Sequence, residues 1–170
     1  AAEKATESPE DDETADWYLY QASDGSFKVK LADGWNMLKN VGYTSLANYD
    51  NQLAIKPGVK AVVTETTHGR DGGLGFTISY LSRDEINQYG DARRGAKTAT
   101  TKTNDGLDIE HYEFTQTVDP EAPDLSKGDK SYSYYIGNEK GRLLIYYGLA
   151  PSQTDYHEVI EKILPTVQIR

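Results

Sequence analysis

The chain holds 13 tyrosines against 3 phenylalanines, and five of the tyrosines crowd one stretch: Tyr132, Tyr134, Tyr135, Tyr146 and Tyr147. Tyrosine joins a large apolar ring to a polar tip, which suits a surface that binds another molecule. Alternation puts Tyr132 and Tyr134 on one side of a strand and Tyr135 on the other, and it splits Tyr146 from Tyr147 in the same way. These five are the candidate binding residues, some packed inward and others at or near the surface. The competing reading is propensity alone, because tyrosine favours strands and half-buried positions.

Residue types that carry catalysis are scattered. His68, His111 and His157 are the three histidines, and none stands in a His-x-x-x-His or His-Glu-x-x-His spacing. A zinc site would need three distant elements to converge, so polar surface or strand-edge histidines are the expectation. Asp105, Asp108 and Glu110 sit near a turn, with Asp108 and Glu110 on one face of a strand. They lack the spacing of a calcium loop and read as solvated hairpin acids. A carboxylate pair for glycoside hydrolysis depends on spatial separation, which a sequence does not give. Cysteine is absent, which excludes a disulfide framework, a cysteine-ligated zinc and a thiol nucleophile together. Gly73-Leu74-Gly75 lies at a hairpin and not between a strand and a helix, so it is no dinucleotide fingerprint. No Gly-x-Ser-x-Gly elbow and no phosphate loop with a lysine occur. No catalytic residue, metal ligand or cofactor is assigned on these grounds.

The elements that must position these residues follow from turns and periodicity. Two strands flank Ser23-Asp24-Gly25-Ser26. In the second, Phe27, Val29 and Leu31 alternate with Lys28 and Lys30. Asp33-Gly34 turns the chain before Trp35. Leu46, Tyr49 and Leu53 are spaced as one side of a short helix capped by Thr44 or Ser45, and Pro57-Gly58 marks a turn. Val59–His68 and Leu74–Leu81 read as a hairpin around Arg70-Asp71-Gly72-Gly73, with Phe76, Ile78 and Tyr80 on one face. Ser82 and Glu85 form a capping box for a helix that Gly90 or Gly95 ends. Thr98–Thr103 and Leu107–Val118 form a hairpin around Asn104-Asp105-Gly106. Asp119–Lys130 reads as an exposed loop. Ser131–Ile136 and Arg142–Ala150 form the last hairpin. Ser152 and Asp155 cap a final helix whose face is Tyr156, Ile160, Ile163 and Leu164. Pro165 stops it, and Val167 and Ile169 suggest a short strand. The architecture expected is α+β: an antiparallel sheet built of hairpins, with helices packed on it.

Charge divides the chain. Of the net charge of −9, residues 1–16 carry −6, through seven acids and Lys4 alone. That stretch has no large apolar residue and reads as a flexible acidic tether, or alternatively as an acidic interaction tail. Residues 17–170 read as a single domain, and order should begin at Trp17. A chain of 170 residues buries enough surface to fold without metal or disulfide. The near-neutral body lacks a basic patch, which argues against nucleic acid and anionic lipid as partners. No run of about 18 apolar residues exists to span a membrane. The start at Ala1 rather than Met is expected to reflect an upstream segment removed.

The opening FKVKLADGW resembles the "F-x-φ-x-φ-P-x-x-W" start of the PsbP/Mog1-like fold, with Ala32-Asp33 standing where that family carries proline. The end, YSYYIGNEKGRLLIYYGLAPSQTDYHEVIEKILPTVQI, resembles the family's closing hairpin, helix and terminal strand. The layout is similar over residues 17–170. The family's members are photosystem accessory proteins, nuclear-transport partners and bacterial lipoproteins, so the resemblance implies binding rather than chemistry. It also makes residues 1–16 look like the polar linker of a lipoprotein whose lipidated cysteine has been removed. The expectation is a secreted or membrane-anchored, extracytoplasmic binding module. Its partner would be a protein or a cell-envelope component, and it would meet the membrane only through an N-terminal lipid. The alternatives are a hydrolase using loop carboxylates and a structural accessory subunit.

Overall fold

Period-two segments dominate the chain, and they assemble into two sheets. The computed structural model describes residues 13–39, 61–66, 75–93, 95–116, 128, 130–149 and 157–170. Strands β1 (Tyr18–Gln21) and β2 (Phe27–Leu31) form the expected hairpin, and β10 (Gln168–Ile169) pairs on the far side of β2. The turn between β1 and β2 uses Gly25 at φ 75, a left-handed conformation in which only glycine is unstrained. Phe27, Val29 and Leu31 are buried as their alternation requires.

The larger sheet has the order β3-β4-β5-β9-β8-β7-β6. Its strands are β3 (Trp35–Lys39), β4 (Ala61–Thr66), β5 (Gly75–Ser82), β6 (Ala96–Lys102), β7 (Asp108–Thr115), β8 (Lys130–Gly137) and β9 (Gly141–Leu149). From β5 outward to β6 every pairing is antiparallel. The pairs β3/β4 and β4/β5 are parallel. This corrects the hairpin expected from Val59–His68 and Leu74–Leu81, and with it a wholly antiparallel sheet. Alternation fixes which residues share a face, but strand direction leaves no mark in it.

Helix α1 (Arg83–Tyr89) starts at the expected capping box: Glu85 N–H donates to Ser82 Oγ at 3.2 Å, and Ser82 N–H donates to Glu85 Oε1 at 3.1 Å. It ends at Gly90, φ 93. Helix α2 (His157–Ile163) runs into a 3-10 turn, Leu164–Thr166, with Pro165 inside it. Of its apolar residues, Ile160 and Ile163 are buried and Val159 is half-buried.

Cross-strand register explains the core. Ile78, Ile145, Tyr134 and His111 face one another in one row across β5, β9, β8 and β7. This inner face packs with β2, α2 and the 3-10 turn into one apolar cluster. Each fully buried aliphatic side chain there contributes about 1.5–3 kcal/mol. The outer face is buried as well. Thr77, Ser79 and Leu81 of β5, Ser133 and Tyr135 of β8, and Leu144 and Tyr146 of β9 are all buried, and α1 contacts β5 and β9.

The N-terminal boundary is also corrected. Glu13 to Asp16 form turn structure, Thr14 is buried, and its carbonyl accepts from Lys30 Nζ at 3.1 Å. Glu13 pairs with Lys162 at 2.5 Å. The body therefore takes in four residues assigned to the tether. The helix expected over 44–53, the Pro57-Gly58 turn, the Ser152/Asp155 cap with Tyr156, and most of the 119–130 loop lie outside the described residues.

Candidate functional site

The five tyrosines singled out by sequence do not form one surface. Tyr134, Tyr135, Tyr146 and Tyr147 are buried, and Tyr132 is half-buried. Tyr132, Tyr134 and Tyr147 belong to the inner cluster. Tyr132 stacks on Tyr147 with centroids 6.2 Å apart, and Tyr134 meets His111 edge-on at 5.1 Å. Tyr135 and Tyr146 lie on the opposite side, as alternation requires. Both faces of the sheet are covered at β8 and β9, so of these five only Tyr132 keeps part of its ring near the surface. The exposed large apolar side chains are Tyr18, Leu19 and Tyr89 among the described residues.

Tyr135 nevertheless stands at the centre of a concentrated charge cluster among the described residues of the outer face. Register places it opposite Leu144 on β9 and opposite Glu110 on β7. Arg142, two residues before Leu144, shares that face. Its guanidinium carbon lies 5.1 Å from the Tyr135 ring centroid. Gly90 ends α1 and sends residues 91–93 across the same face. The Arg93 guanidinium carbon thereby sits 4.2 Å from the same centroid. Tyr112 closes the other side of the ring edge-on at 5.4 Å. Cation–π attraction of this kind strengthens where water is excluded.

The charges interlock. Asp91 Oδ1 accepts from Arg93 Nη1 at 2.5 Å and also from Arg142 Nη1. Arg93 Nη2 donates to Glu110 Oε2 at 3.2 Å. Glu110 Oε1 accepts from the Tyr112 hydroxyl at 3.3 Å, and Lys97 Nζ lies 4.0 Å from the same oxygen. The Arg142 side chain is only 8% exposed, whereas that of Asp91 is 42% exposed. The Nε of both Arg93 and Arg142 is buried with no acceptor among the described residues. An idle buried donor costs about 1–3 kcal/mol, and natural structures hold few of them.

Titration sharpens the chemistry. Burial alone would raise the Asp91 carboxyl, but the Arg93 hydrogen bond and the Arg142 charge outweigh it and hold it below the usual carboxylate range. Burial opposes the charge on Arg93, yet its bonds to Asp91 and Glu110 push its pKa further up. Burial, reinforced by Glu110, raises the Tyr112 hydroxyl. Each shift drives a group deeper into the state it already holds at neutral pH. Proton-transfer groups need the opposite, a pKa near the working pH. At neutral pH the cluster therefore holds Asp91 as a carboxylate, Arg93 as a cation and Tyr112 as a neutral hydroxyl.

The remaining candidates sit elsewhere. Asp108 pairs with Lys102 at 2.6 Å, both largely exposed, and Asp105 is exposed at its turn. His111 is buried with Nε2 2.8 Å from Thr101 Oγ1. His157 lies on α2, 3.3 Å from Glu161. His68 lies outside the described residues. No group of three or more His, Asp or Glu side chains that could hold a metal occurs among the described residues. No described helix is long and apolar enough to cross a membrane.

Sequence reasoning missed Arg93, Asp91 and Arg142. One signal was present: Arg142 heads an apolar strand, RLLIYYGL, on the same alternate positions as Leu144 and Tyr146. An arginine on a buried strand face demands a partner, but that partner stands 51 residues earlier.

Comparison of the chain with family models, with curated proteins and with solved structures finds no match.

Proposed function

We propose that this protein is a non-catalytic binding module working outside the cytoplasm, carried on its acidic N-terminal segment, and that the arginine pair around Tyr135 is its recognition site. The observation that carries the recognition site is the pair of buried, idle Nε–H donors on Arg93 and Arg142, whose guanidinium carbons lie 4.2 Å and 5.1 Å from the centroid of one ring, Tyr135. A fold that keeps such donors dry bears their cost where a ligand accepts from them. The concentration of charge in residues 1–16 supports the tether.

The finer assignment, a PsbP/Mog1-like domain of the bacterial lipoprotein type, rests on the FKVKLADGW opening and the closing hairpin–helix–strand. The layout β8, β9, α2 and β10 is compatible with it. The partner is a protein or a cell-envelope component bearing anionic groups. A hydrolase using loop carboxylates gains no support from Asp108 or Glu110, which are each tied to a cation.

Arrays of acidic peptides and anionic glycans, probed with the whole chain, test the recognition site. Binding should appear for the native protein and vanish in the folded double variant Arg93→Gln/Arg142→Gln. Equal binding by the double variant, or none by the native chain, would sink the reading. Mass spectrometry of the N-terminus isolated from cells tests the tether: a lipidated cysteine upstream supports it, and a cytosolic initiator methionine overturns it.

A further inference from the structure

Strand β6 ends the larger sheet, and it is the longest of the described strands that stand at the end of a sheet: 7 residues, against 5 in β3, 4 in β1 and 2 in β10. All of its residues are exposed, so neither face blocks a strand laid beside it. Its register with β7 shifts between Lys97 and Ala99. Lys97 therefore stands opposite Tyr112, Thr100 opposite Glu110 and Lys102 opposite Asp108. Residues directly opposite share a face, so these three lie on the outer side of the sheet. In a regular strand Lys97 and Lys102 would point to opposite sides, and the bulge at Thr98 brings them to the same one. Ala99 and Thr101, opposite His111 and Ile109, give the inner side of β6 no charge. Both lysines keep solvent access, with side chains 49% and 66% exposed. Lys97 approaches Glu110 only to 4.0 Å, and that carboxylate already accepts from Arg93 and Tyr112.

We infer that the free edge of β6 is a docking site for an extended acidic segment of a partner protein, which joins the sheet as a further strand beside β6. Main-chain N–H and C=O groups along such an edge supply affinity, and the side chains that alternate along it supply specificity. On the outer side the added strand sets its side chains beside Lys97, Thr100 and Lys102, where opposite charge stabilises and like charge repels. On the inner side it meets Ala99 and Thr101, which leave room for apolar residues. A segment that alternates acidic with apolar residues fits both sides. The same lysines exclude a second copy of this chain as the occupant. Lysine on an edge guards against pairing between like edges, and two antiparallel β6 strands would crowd Lys97 and Lys102 of each copy onto one face. Repelling its own copy while admitting an acidic strand gives the edge a choice of partner. The edge lies apart from the ring of Tyr135, and docking there does not require the arginine pair.

Magnetic resonance titration and amide hydrogen exchange of the full chain at low ionic strength test this. The probes are two synthetic peptides about six residues long, one alternating Glu with Val and the other Lys with Val. The glutamate peptide should shift resonances along Ala96–Lys102 and protect outward-facing β6 amides that exchange freely without it. It should bind about tenfold more tightly than the lysine peptide. In Lys97→Gln/Lys102→Gln that preference should fall to about threefold or less. Should this variant fail to fold, the two peptides on the native chain still decide. Equal binding of both peptides to the native chain overturns the acidic class, and an undiminished preference in the variant overturns the role of the lysines. Shifts confined to Arg93, Tyr135 and Arg142 overturn docking at the edge while the arginine site stands. No binding of either peptide overturns the docking site. Outward-facing β6 amides already protected in the free chain also overturn it. Protection that grows with protein concentration would identify a second copy as the occupant, and protection independent of concentration a segment of the same chain.

Discussion

Tyr135 and Glu110 face each other across β8 and β7, and this one pairing gives Arg93 two partners at once. Its guanidinium lies over the ring of one, 4.2 Å from the centroid, and donates to the carboxylate of the other at 3.2 Å. Only a flat, delocalised cation can stack and fork in a single pose. Lysine offers a point charge that must choose. Arg93→Lys should therefore destabilise the fold by about 1 kcal/mol despite keeping the charge. Urea unfolding checks this. A Tyr135→Leu/Arg93→Lys double-mutant cycle should return positive coupling between the two sites.

The ion pair between Asp91 and Arg142 should show the asymmetry of buried charge. Removing the acid strands a buried cation, whereas replacing the cation with an apolar side chain strands only a half-exposed acid. Asp91→Ala should cost about 1–2 kcal/mol, below the figure for fully buried pairs because Asp91 is partly solvated. Arg142→Met should be neutral or stabilising, since it also removes an idle Nε–H. The two midpoints of thermal unfolding, compared with the native chain, decide between this and a simple symmetric pair.

Local chemistry was readable where it closes on itself within a few residues. The Ser82/Glu85 capping box, the Asp24-Gly25 turn and the inward set Phe27, Val29, Leu31 all appear as the spacing requires. So does the split of Tyr134 from Tyr135. What alternation could not carry was direction and cover. It does not record that β4 runs parallel to β5. Nor does it record that α1 and the segment after it shield the outer face, which buries Tyr135 and Tyr146. The arginine cluster was opaque for a related reason: its members come from three separate parts of the chain, and no local pattern joins them.

Two glycines with the same backbone angle separate conformational from packing cost. Gly95 and Gly106 both have φ of 90. A Cβ on Gly106 would meet nothing within 4 Å, while one on Gly95 would lie 2.3 Å from the Glu113 carbonyl oxygen. Gly106→Ala should cost about 1–2 kcal/mol for the left-handed conformation alone. Gly95→Ala should cost about 1–3 kcal/mol more, because the β6–β7 edge must shift to relieve the contact. Chemical denaturation of the two variants side by side measures the difference directly, and equal losses would mean the Gly95 contact is not felt.

Acid should weaken the fold through His111 before it titrates the carboxylates. Burial beneath the sheet pulls the His111 pKa below its ordinary 6.5. The Glu161 charge partly offsets this, and the charge on His157 adds to it. The unfolded chain therefore takes up a proton near pH 6.5 that the folded chain refuses until lower pH. Proton uptake by the unfolded state alone favours unfolding, so stability should fall as pH drops below 6.5 and level off once the folded form also binds the proton. His111→Gln, which keeps a polar group near Thr101 Oγ1, should flatten this segment of the stability profile. The acid limb produced by Asp91, whose pKa is lowered in the folded state, should remain: that stabilisation is full above the ordinary carboxylate pKa of 3.8 and is lost as pH falls through the folded value. Thermal midpoints from pH 8 to pH 3 for both chains provide the check. An identical decline between pH 6.5 and 5 in the two would remove His111 from the account.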